Sequence, residues 1–186
     1  MSVQLIRHRF TVDEYHEIAR AGVLRDDDRV ELIDGEVVDM TPIGLRHTAA
    51  VNVLTRWLVT GCGQRAIVQV QGPVRLGPHW EPQPDLVLLA PREDFYRESP
   101  ATAADVRLVV EVADTSLTYD RTVKLPVYAR SGVREAWLVD LSRDRVEVHQ
   151  EPGPDGYRRV EIRERGGRLV PGAFPDLSLT VDQLLG

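Results

Sequence analysis

The spacing of apolar positions in the first third of the chain predicts two helices and a hairpin. Thr11 followed by Glu14 is a capping-box pattern, which predicts a helix from there to about Arg20. Apolar runs on both sides of Asp34-Gly35 predict a β-hairpin with a tight turn. Residues 45–59 then carry apolar side chains at a helical period, so we expect a second helix there.

The pattern in the rest of the chain predicts mainly strands. Residues 106–112 are nearly all apolar and mostly β-branched, which is typical of a central strand buried on both faces. Residues 91–105 are polar and predict a loop, and residues 118–131 predict a helix kinked or weakened at Pro126. Further strands are expected at residues 66–71, 74–76, 85–90, 135–141, 146–150 and 157–162. This order predicts an α/β (mixed α+β) fold, a mixed sheet with helices on its faces, in a single domain spanning residues 1–186.

Composition narrows the class of protein. The 186 residues are 42% hydrophobic and 28% charged, which are ordinary values for a globular protein with a core. No apolar run approaches the roughly 20 residues of a membrane span, and the first ten residues lack the apolar stretch of a secretory signal. A single cysteine, Cys62, excludes an internal disulfide and a Cys-rich zinc site. We therefore expect a cytoplasmic protein with no membrane partner.

Charge and lysine content bear on function. The net charge of −6 argues against a protein that coats nucleic acid non-specifically, since that requires excess Lys and Arg. It leaves open an enzyme that meets nucleic acid locally through a metal. All basic residues except Lys124 are Arg. A lysine ammonium is compact and can lose its proton, which guanidinium cannot do, so Lys124 is a candidate for chemistry.

Three carboxylates lie within or beside apolar strands: Glu31, Asp85 and Glu111. An unpaired buried charge is costly, so each of them needs compensation. If they converge from neighbouring strand ends, they form a hard oxygen site suited to Mg²⁺ or Mn²⁺. The alternative for any one of them is a strand-end carboxylate in solvent or in an ion pair with one of the many Arg.

The helix expected at residues 118–131 carries a second polar set. Asp120, Lys124 and Tyr128 recur at every fourth position and therefore share one face. Either this face is exposed and holds an ordinary Asp–Lys pair, or it presents Lys124 to the carboxylates, with Asp120 or Tyr128 orienting it. Ala113 shares a strand face with Glu111, so we expect it to point into the same pocket.

The ordered set of these residues resembles the Uma-type family of restriction endonucleases, which belongs to the PD-(D/E)xK nuclease superfamily. The resemblance covers nearly the whole chain. It is carried by residues 29–35, His47, the Pro84-Asp85 pair, residues 109–112, residues 120–124, Tyr128 and residues 132–140.

The resemblance implies a restriction-endonuclease-like fold, and it implies a role for each residue that matches the family's site. Asp85 and Glu111 match the metal ligands, with the Val112 carbonyl as a third, and Glu31 matches an auxiliary contact to metal or water. The usual lysine position of the superfamily falls on Ala113; in the Uma-type group the lysine moves to the following helix, where Lys124 stands. His47 matches a recurring histidine, for which we favour a structural role.

The function implied is a Mg²⁺- or Mn²⁺-dependent DNA endonuclease. Hydrolysis would leave a 5′-phosphate and a 3′-hydroxyl, and cutting two strands favours a homodimer or higher homo-oligomer. Two alternatives stay open. One is a non-catalytic oligomerisation or nucleic-acid-binding module of the same fold, which the acidic charge favours. The other is a metal hydrolase acting on a small phosphodiester.

Overall fold

The computed structural model describes residues 7–25 and 27–186, so residues 1–6 and Asp26 lie outside the description that follows. Helix α1 (Val12–Arg20) begins where the capping-box pattern predicts. The backbone N–H of Glu14 donates to the Thr11 hydroxyl at 3.2 Å, and the Thr11 N–H donates to the Glu14 carboxylate at 2.8 Å. Both halves of the capping box are present, which confirms the sequence-based prediction.

The hairpin is also confirmed. Strands β1 (Val30–Ile33) and β2 (Glu36–Asp39) pair antiparallel. The two turn residues, Asp34 and Gly35, have φ of 51° and 75°, as a type I′ turn requires. A Cβ on Gly35 would lie 2.7 Å from the Cβ of Arg9, so both the backbone conformation and the close approach favour glycine there.

The remaining elements follow in chain order. The longer helix is α2 (Leu45–Cys62), and the short helices are α3 (Leu117–Tyr119), α4 (Leu125–Arg130) and α5 (Val181–Leu185). The strands are β3 (Ile67–Val70), β4 (Val74–Arg75), β5 (Leu86–Leu89), β6 (Ala101–Thr102), β7 (Val106–Ala113), β8 (Glu135–Asp140), β9 (Arg145–Gly153), β10 (Gly156–Arg163), β11 (Arg168–Leu169) and β12 (Leu179–Thr180).

Six strands form the central sheet, in the order β10-β9-β8-β7-β5-β3. Strands β7 and β8 run parallel, and the other neighbours are antiparallel, so the sheet is mixed as expected. Strand β7 lies inside the sheet, and nearly all of its side chains are buried. This arrangement confirms the α/β fold class.

Each face of the sheet carries its own hydrophobic layer. Leu108, Val110 and Val112 of β7 pack with α2 and α5 on one face. The alternate residues of β7 lie on the other face, where Val109 and Ala113 pack with Leu125 and Tyr128 of α4. Glu111 belongs to this second face by the alternation of the strand.

Two predictions about irregular segments need correction. The stretch at 91–105 is not wholly a loop, because β6 pairs parallel with β4 and a 3₁₀ turn follows at Ala103–Asp105. A two-residue strand is too short to show a period of two. The helix predicted at 118–131 is a continuous helical segment containing a π-helical turn, Asp120–Lys124, just before the turn that contains Pro126.

In the part of the chain described, no helix has both the length and the apolar character needed to cross a membrane.

Candidate active site

One pocket collects the residues named from the sequence. It lies where β7 ends and β5 begins, and it is also lined by the β1–β2 hairpin, the start of α2 and the π-helical turn. Its acidic lining residues are Glu31, Asp39, Asp85, Glu111, Asp114 and Asp120. The permanently charged basic residues among those lining it are Arg29 and Lys124. The pocket is therefore strongly electronegative and favours a bound cation.

Lys124 is one of the buried residues that line this pocket. Its side chain is 6% exposed, and Nζ lies 3.1 Å from Glu31 Oε2 and 3.4 Å from Glu111 Oε1. The interpretation as an exposed Asp–Lys pair is therefore wrong. The four-residue spacing defines a helix face, and tertiary packing turned that face inward against the sheet.

The expected partners of Lys124 act differently from the prediction. The Tyr128 hydroxyl donates a hydrogen bond to Glu111 Oε1, so Tyr128 orients the carboxylate that Lys124 contacts. Asp120 accepts a hydrogen bond from the Ser116 hydroxyl at 2.6 Å. Both residues are buried, but the ion pairs of the lysine are with Glu31 and Glu111.

The surroundings of Lys124 keep it charged. Burial by itself would lower its pKa, but the carboxylates of Glu111 and Glu31 outweigh burial and raise the pKa of Lys124 above its ordinary value. In this state the ammonium can donate hydrogen bonds and stabilise negative charge. It is poorly suited to take a proton from water.

The negative charge of the buried Glu111 carboxylate is only partly compensated. Burial raises its pKa well above the ordinary value; Lys124 counteracts this, while the negative charges of Asp120 and Asp85 add to it. A single ammonium shared among several buried carboxylates leaves excess negative charge. A divalent cation beside Glu111 would remove that excess.

Asp85 lies directly before β5 and is held at both carboxylate oxygens. Its Oδ2 accepts the backbone N–H of Val112 at 2.8 Å, and its Oδ1 lies 3.0 Å from His47 Nε2. The β5–β7 register pairs Leu86 with Val110, and continued by one residue it sets Asp85 opposite Glu111. The N–H and C=O of a strand residue point to the same side of the strand. The Val112 carbonyl is therefore directed to the same side as the Val112 N–H.

This donor set fits a hard divalent cation. Two carboxylates and a backbone carbonyl are oxygen ligands of the kind that Mg²⁺ and Mn²⁺ take in proteins. Among residues 7–25 and 27–186, no three His, Cys, Asp or Glu side chains stand together at metal-binding spacing. Solvent would therefore supply the remaining ligands, which suits Mg²⁺ because it dehydrates reluctantly.

Glu31 lines the pocket beside Lys124, whereas Ala113 lies outside the pocket into which alternation along the strand predicted that it points. Glu31 contacts Lys124 and accepts the backbone N–H of Gln83 at 3.0 Å, so it serves as an anchor for the lysine. Ala113 shares the face of Glu111, as expected, but it is fully buried against Leu125 and Tyr128 and does not line the pocket. The α4 helix fills the space in which a strand lysine would lie.

Sequence reasoning missed part of the pocket. Asp39, Asp114 and Tyr119 line it, and the Tyr119 hydroxyl is buried with no hydrogen-bond partner among the described residues. Asp114 lies two residues after the predicted central strand at 106–112, which is a signal that could have identified it. Tyr119 carries no comparable signal, because its position depends on how the π-helical turn packs.

A buried carboxylate alone does not mark this site. The structure also buries Glu81, Glu135, Asp140 and Glu147, none of which lines the pocket. Each has a local partner: Glu81, for example, lies 2.6 Å from His16 Nε2, and Glu147 pairs with Arg121 and Arg145. What distinguishes Glu31, Asp85 and Glu111 is their convergence on one pocket.

The fold and the pocket are those of a restriction-endonuclease-like nuclease. Comparison with known proteins agrees with this class. The family model Uma2, described as "Putative restriction endonuclease", matches residues 12–182. The chain belongs to this family, as the sequence resemblance indicated.

A solved structure supports the fold. The chain superimposes on the crystal structure of a "putative nuclease belonging to DUF820" from Anabaena variabilis ATCC 29413 with a TM-score of 0.74. The two sequences are 18% identical, and the match covers 95% of this chain and 97% of that one. At this identity the likeness shows a shared fold. No curated protein matches the chain.

Proposed function

We propose that this protein is a Mg²⁺- or Mn²⁺-dependent phosphodiesterase of the PD-(D/E)xK type that acts as a DNA endonuclease. One observation carries the proposal: the ammonium of Lys124 lies between Glu31 and Glu111, in the pocket that Asp85 also lines. Membership in a restriction endonuclease family supports nucleic acid as the substrate.

Asp85 and Glu111 would hold the ion, with the Val112 carbonyl as a third ligand. A bound divalent ion would orient and acidify a water molecule and neutralise charge on the phosphodiester. Both carboxylates are set in place by the protein, Asp85 by the Val112 N–H and Glu111 by the Tyr128 hydroxyl. This pre-organisation reduces the cost of assembling the site.

Lys124 would bind a non-bridging phosphate oxygen and stabilise the negative charge that develops there in the transition state. The raised pKa of Lys124 favours this role over general-base catalysis. Glu31 would keep the ammonium aimed into the pocket, because its own carboxylate is fixed by the Gln83 N–H. Water attacking in line would leave a 5′-phosphate and a 3′-hydroxyl.

The assembly and location of the protein are also part of the proposal. We expect one catalytic unit spanning residues 1–186 in each chain. Cutting both strands of a duplex needs two such units, so a homodimer or higher homo-oligomer follows. A cytoplasmic location, expected from the sequence, is also part of this proposal.

The proposal is tested by measuring both metal binding and DNA cleavage. Calorimetric titration with Mn²⁺ should show binding, and the protein should cleave plasmid DNA with Mg²⁺ or Mn²⁺ and not with EDTA. Lys124→Arg should lower the rate about 10²–10⁴-fold while keeping Mn²⁺ affinity, since guanidinium is larger and cannot take the same position. Arg130→Lys, at an exposed position of α4, is the matched control and should cleave as wild type does.

Different outcomes separate the alternatives. Wild-type protein that binds no Mn²⁺ would support the non-catalytic module. Mn²⁺ binding with hydrolysis of bis(4-nitrophenyl) phosphate but of no DNA would support a small-phosphodiester hydrolase. A Lys124→Arg protein that is folded and cleaves at the wild-type rate would remove Lys124 from the mechanism. Thermal melts are needed for that variant, because the position is buried and Arg adds volume.

A further inference from the structure

The helical turn that ends at Lys124 is π-helical, and it spans Asp120–Lys124. The N–H of Leu125 donates to the carbonyl of Asp120, five residues earlier, as a π-helical turn requires. Turns of this kind are rare, and they occur frequently at functional sites. A π-helical turn holds more residues than an α-helical one, so relaxing it would change the register between its residues and α4. The direction of the Lys124 side chain therefore depends on this turn keeping its shape.

Arg121 binds the π-helical turn to the central sheet. Its Nε donates to Glu147 Oε2 at 3.2 Å, and a terminal N–H of its guanidinium donates to Glu147 Oε1 at 2.6 Å. The guanidinium also lies 3.8 Å from Asp140 Oδ2. Glu147 belongs to β9 and Asp140 is the last residue of β8, and both are buried. A bidentate pair of this kind fixes the geometry of the two groups as well as contributing energy.

Lys124 binds the same turn to different elements. Its ammonium contacts Glu111 of β7 and Glu31 of the hairpin. Strand β9 lies two strands from β7, which is about 10 Å across the sheet. Two ion-paired side chains, three residues apart in sequence, therefore attach the turn to the protein at two separate points. Lys124 lines the pocket, and Arg121 does not.

We propose that Arg121 is a positioning residue: its bidentate contact with Glu147 holds the π-helical turn so that the Lys124 ammonium stays between Glu31 and Glu111. The part that Lys124 plays in catalysis rests on the function proposed above; the contact that holds the turn does not. Arg121 does not need to touch the metal or the substrate.

Arg121→Met removes the guanidinium and keeps an unbranched side chain. Glu147 and Asp140 would each keep a cation, because Arg145 donates to Glu147 at 3.0 Å and to Asp140 at 3.3 Å. We therefore expect this variant to fold. Arg143→Met is the matched control: Arg143 lies 3.6 Å from the same Asp140 carboxylate, but it belongs to the turn after β8 and not to the helical segment.

Amide hydrogen exchange, followed by NMR, measures how firmly the turn is held without metal or substrate. The Leu125 amide donates the hydrogen bond of the π-helical turn, so its exchange reports local opening of that turn. It should exchange about 10-fold faster or more in Arg121→Met than in wild type, while the amide of Leu138 in β8 keeps its protection. Arg143→Met should leave both amides unchanged.

Two exchange results would overturn the proposal. Equal exchange of Leu125 in Arg121→Met and wild type would mean that Arg121 does not hold the turn. Equal acceleration at Leu125 and Leu138 would mean that the substitution lowers the stability of the whole fold and has no particular effect on the turn.

The rate of DNA cleavage tests whether the contact acts through Lys124. Arg121→Met should lower kcat about 10–10²-fold, since misplacing a reacting group by about 1 Å can cost that much. In a Lys124→Met background, the same substitution should change the cleavage rate less than about 2-fold, because the group that Arg121 positions is already absent. Losses that multiply would show that Arg121 acts independently of Lys124, and they would overturn the proposal.

The two measurements distinguish failure of this proposal from failure of the proposed function. If wild-type protein cleaves no DNA, the proposed function fails, and the exchange of Leu125 still decides whether Arg121 holds the turn. If wild-type protein cleaves DNA while Arg121→Met exchanges and cleaves as wild type does, the proposed function stands and the role of Arg121 is overturned.

Discussion

Replacing Lys124 by methionine isolates the effect of its positive charge in the pocket. Methionine has a similar length and shape, so Lys124→Met removes the ammonium with little change in packing. At an effective dielectric constant of about 20, an ion pair 3.1–3.4 Å long is worth about 5 kcal/mol before desolvation. Removing one partner of a buried pair typically costs about 3–5 kcal/mol, because the other charge stays buried. We expect a loss of that size in unfolding free energy at pH 7.5.

The pH dependence of the loss has a definite sign. Burial already raises the pKa of Glu111 above its ordinary value of 4.5, and removing Lys124 removes the group that counteracts this. Above pH 4.5 the folded variant therefore holds a proton that the unfolded chain has released, and its stability falls as the pH rises. The difference from wild type should be largest at pH 7.5 and should shrink towards pH 5.

Urea denaturation at both pH values, in EDTA, measures these changes. Glu31→Gln combined with Lys124→Met should recover more than about 1 kcal/mol, because one unpaired carboxylate is removed. Arg20→Met, which breaks an exposed pair with Glu17, should change stability by less than about 0.5 kcal/mol. A loss below about 1 kcal/mol for Lys124→Met, or one that does not vary with pH, would refute this account of the pocket.

Three further predictions concern buried side chains other than Lys124. Asp85→Asn keeps a hydrogen-bond acceptor but removes the charge, so calorimetry should show Mn²⁺ binding weakened at least 10-fold with the fold retained by circular dichroism. Tyr128→Phe removes the donor to Glu111 and should lower the unfolding free energy in urea by about 1–3 kcal/mol; an unchanged value would mean that water replaces the hydroxyl. The hydrogen bond from His149, with Arg121, lowers the pKa of Glu147 to about 2 from 4.5, so its contribution is complete above pH 4.5 and is lost as the pH falls towards 2. Glu147→Gln should therefore unfold more easily than wild type at neutral pH and equally easily near pH 2 in acid titrations.

The elements that the sequence predicts well are those fixed by local rules. Thr11 and Glu14 satisfy each other within one turn, and Asp34-Gly35 adopts a turn that few residue pairs favour. The β-branched run at 106–112 has to be buried wherever it lies in the sheet. The pairing of β4 with β6 could not be predicted, because two-residue strands are set by contacts between distant segments.

The sequence predicted which residues line the pocket better than it predicted their contacts. Asp85 and Glu111 converge because they lie at the same end of adjacent antiparallel strands, which follows once those strands are known to pair. The contact between His47 Nε2 and Asp85 Oδ1 joins residues 38 positions apart, and no local pattern signals it. The burial of Lys124 depends on which side of the helix meets the sheet, and periodicity alone leaves both sides open.

The single lysine of this chain has a practical consequence for experiments. Lys124 is the one lysine side chain in 186 residues, and it is 6% exposed. Isotopic labelling of the lysine Nζ alone would give one side-chain signal, and that signal would come from the lining of the pocket. Metal addition, substrate entry and each substitution proposed above could then be followed through one atom, Nζ, without assigning the rest of the spectrum.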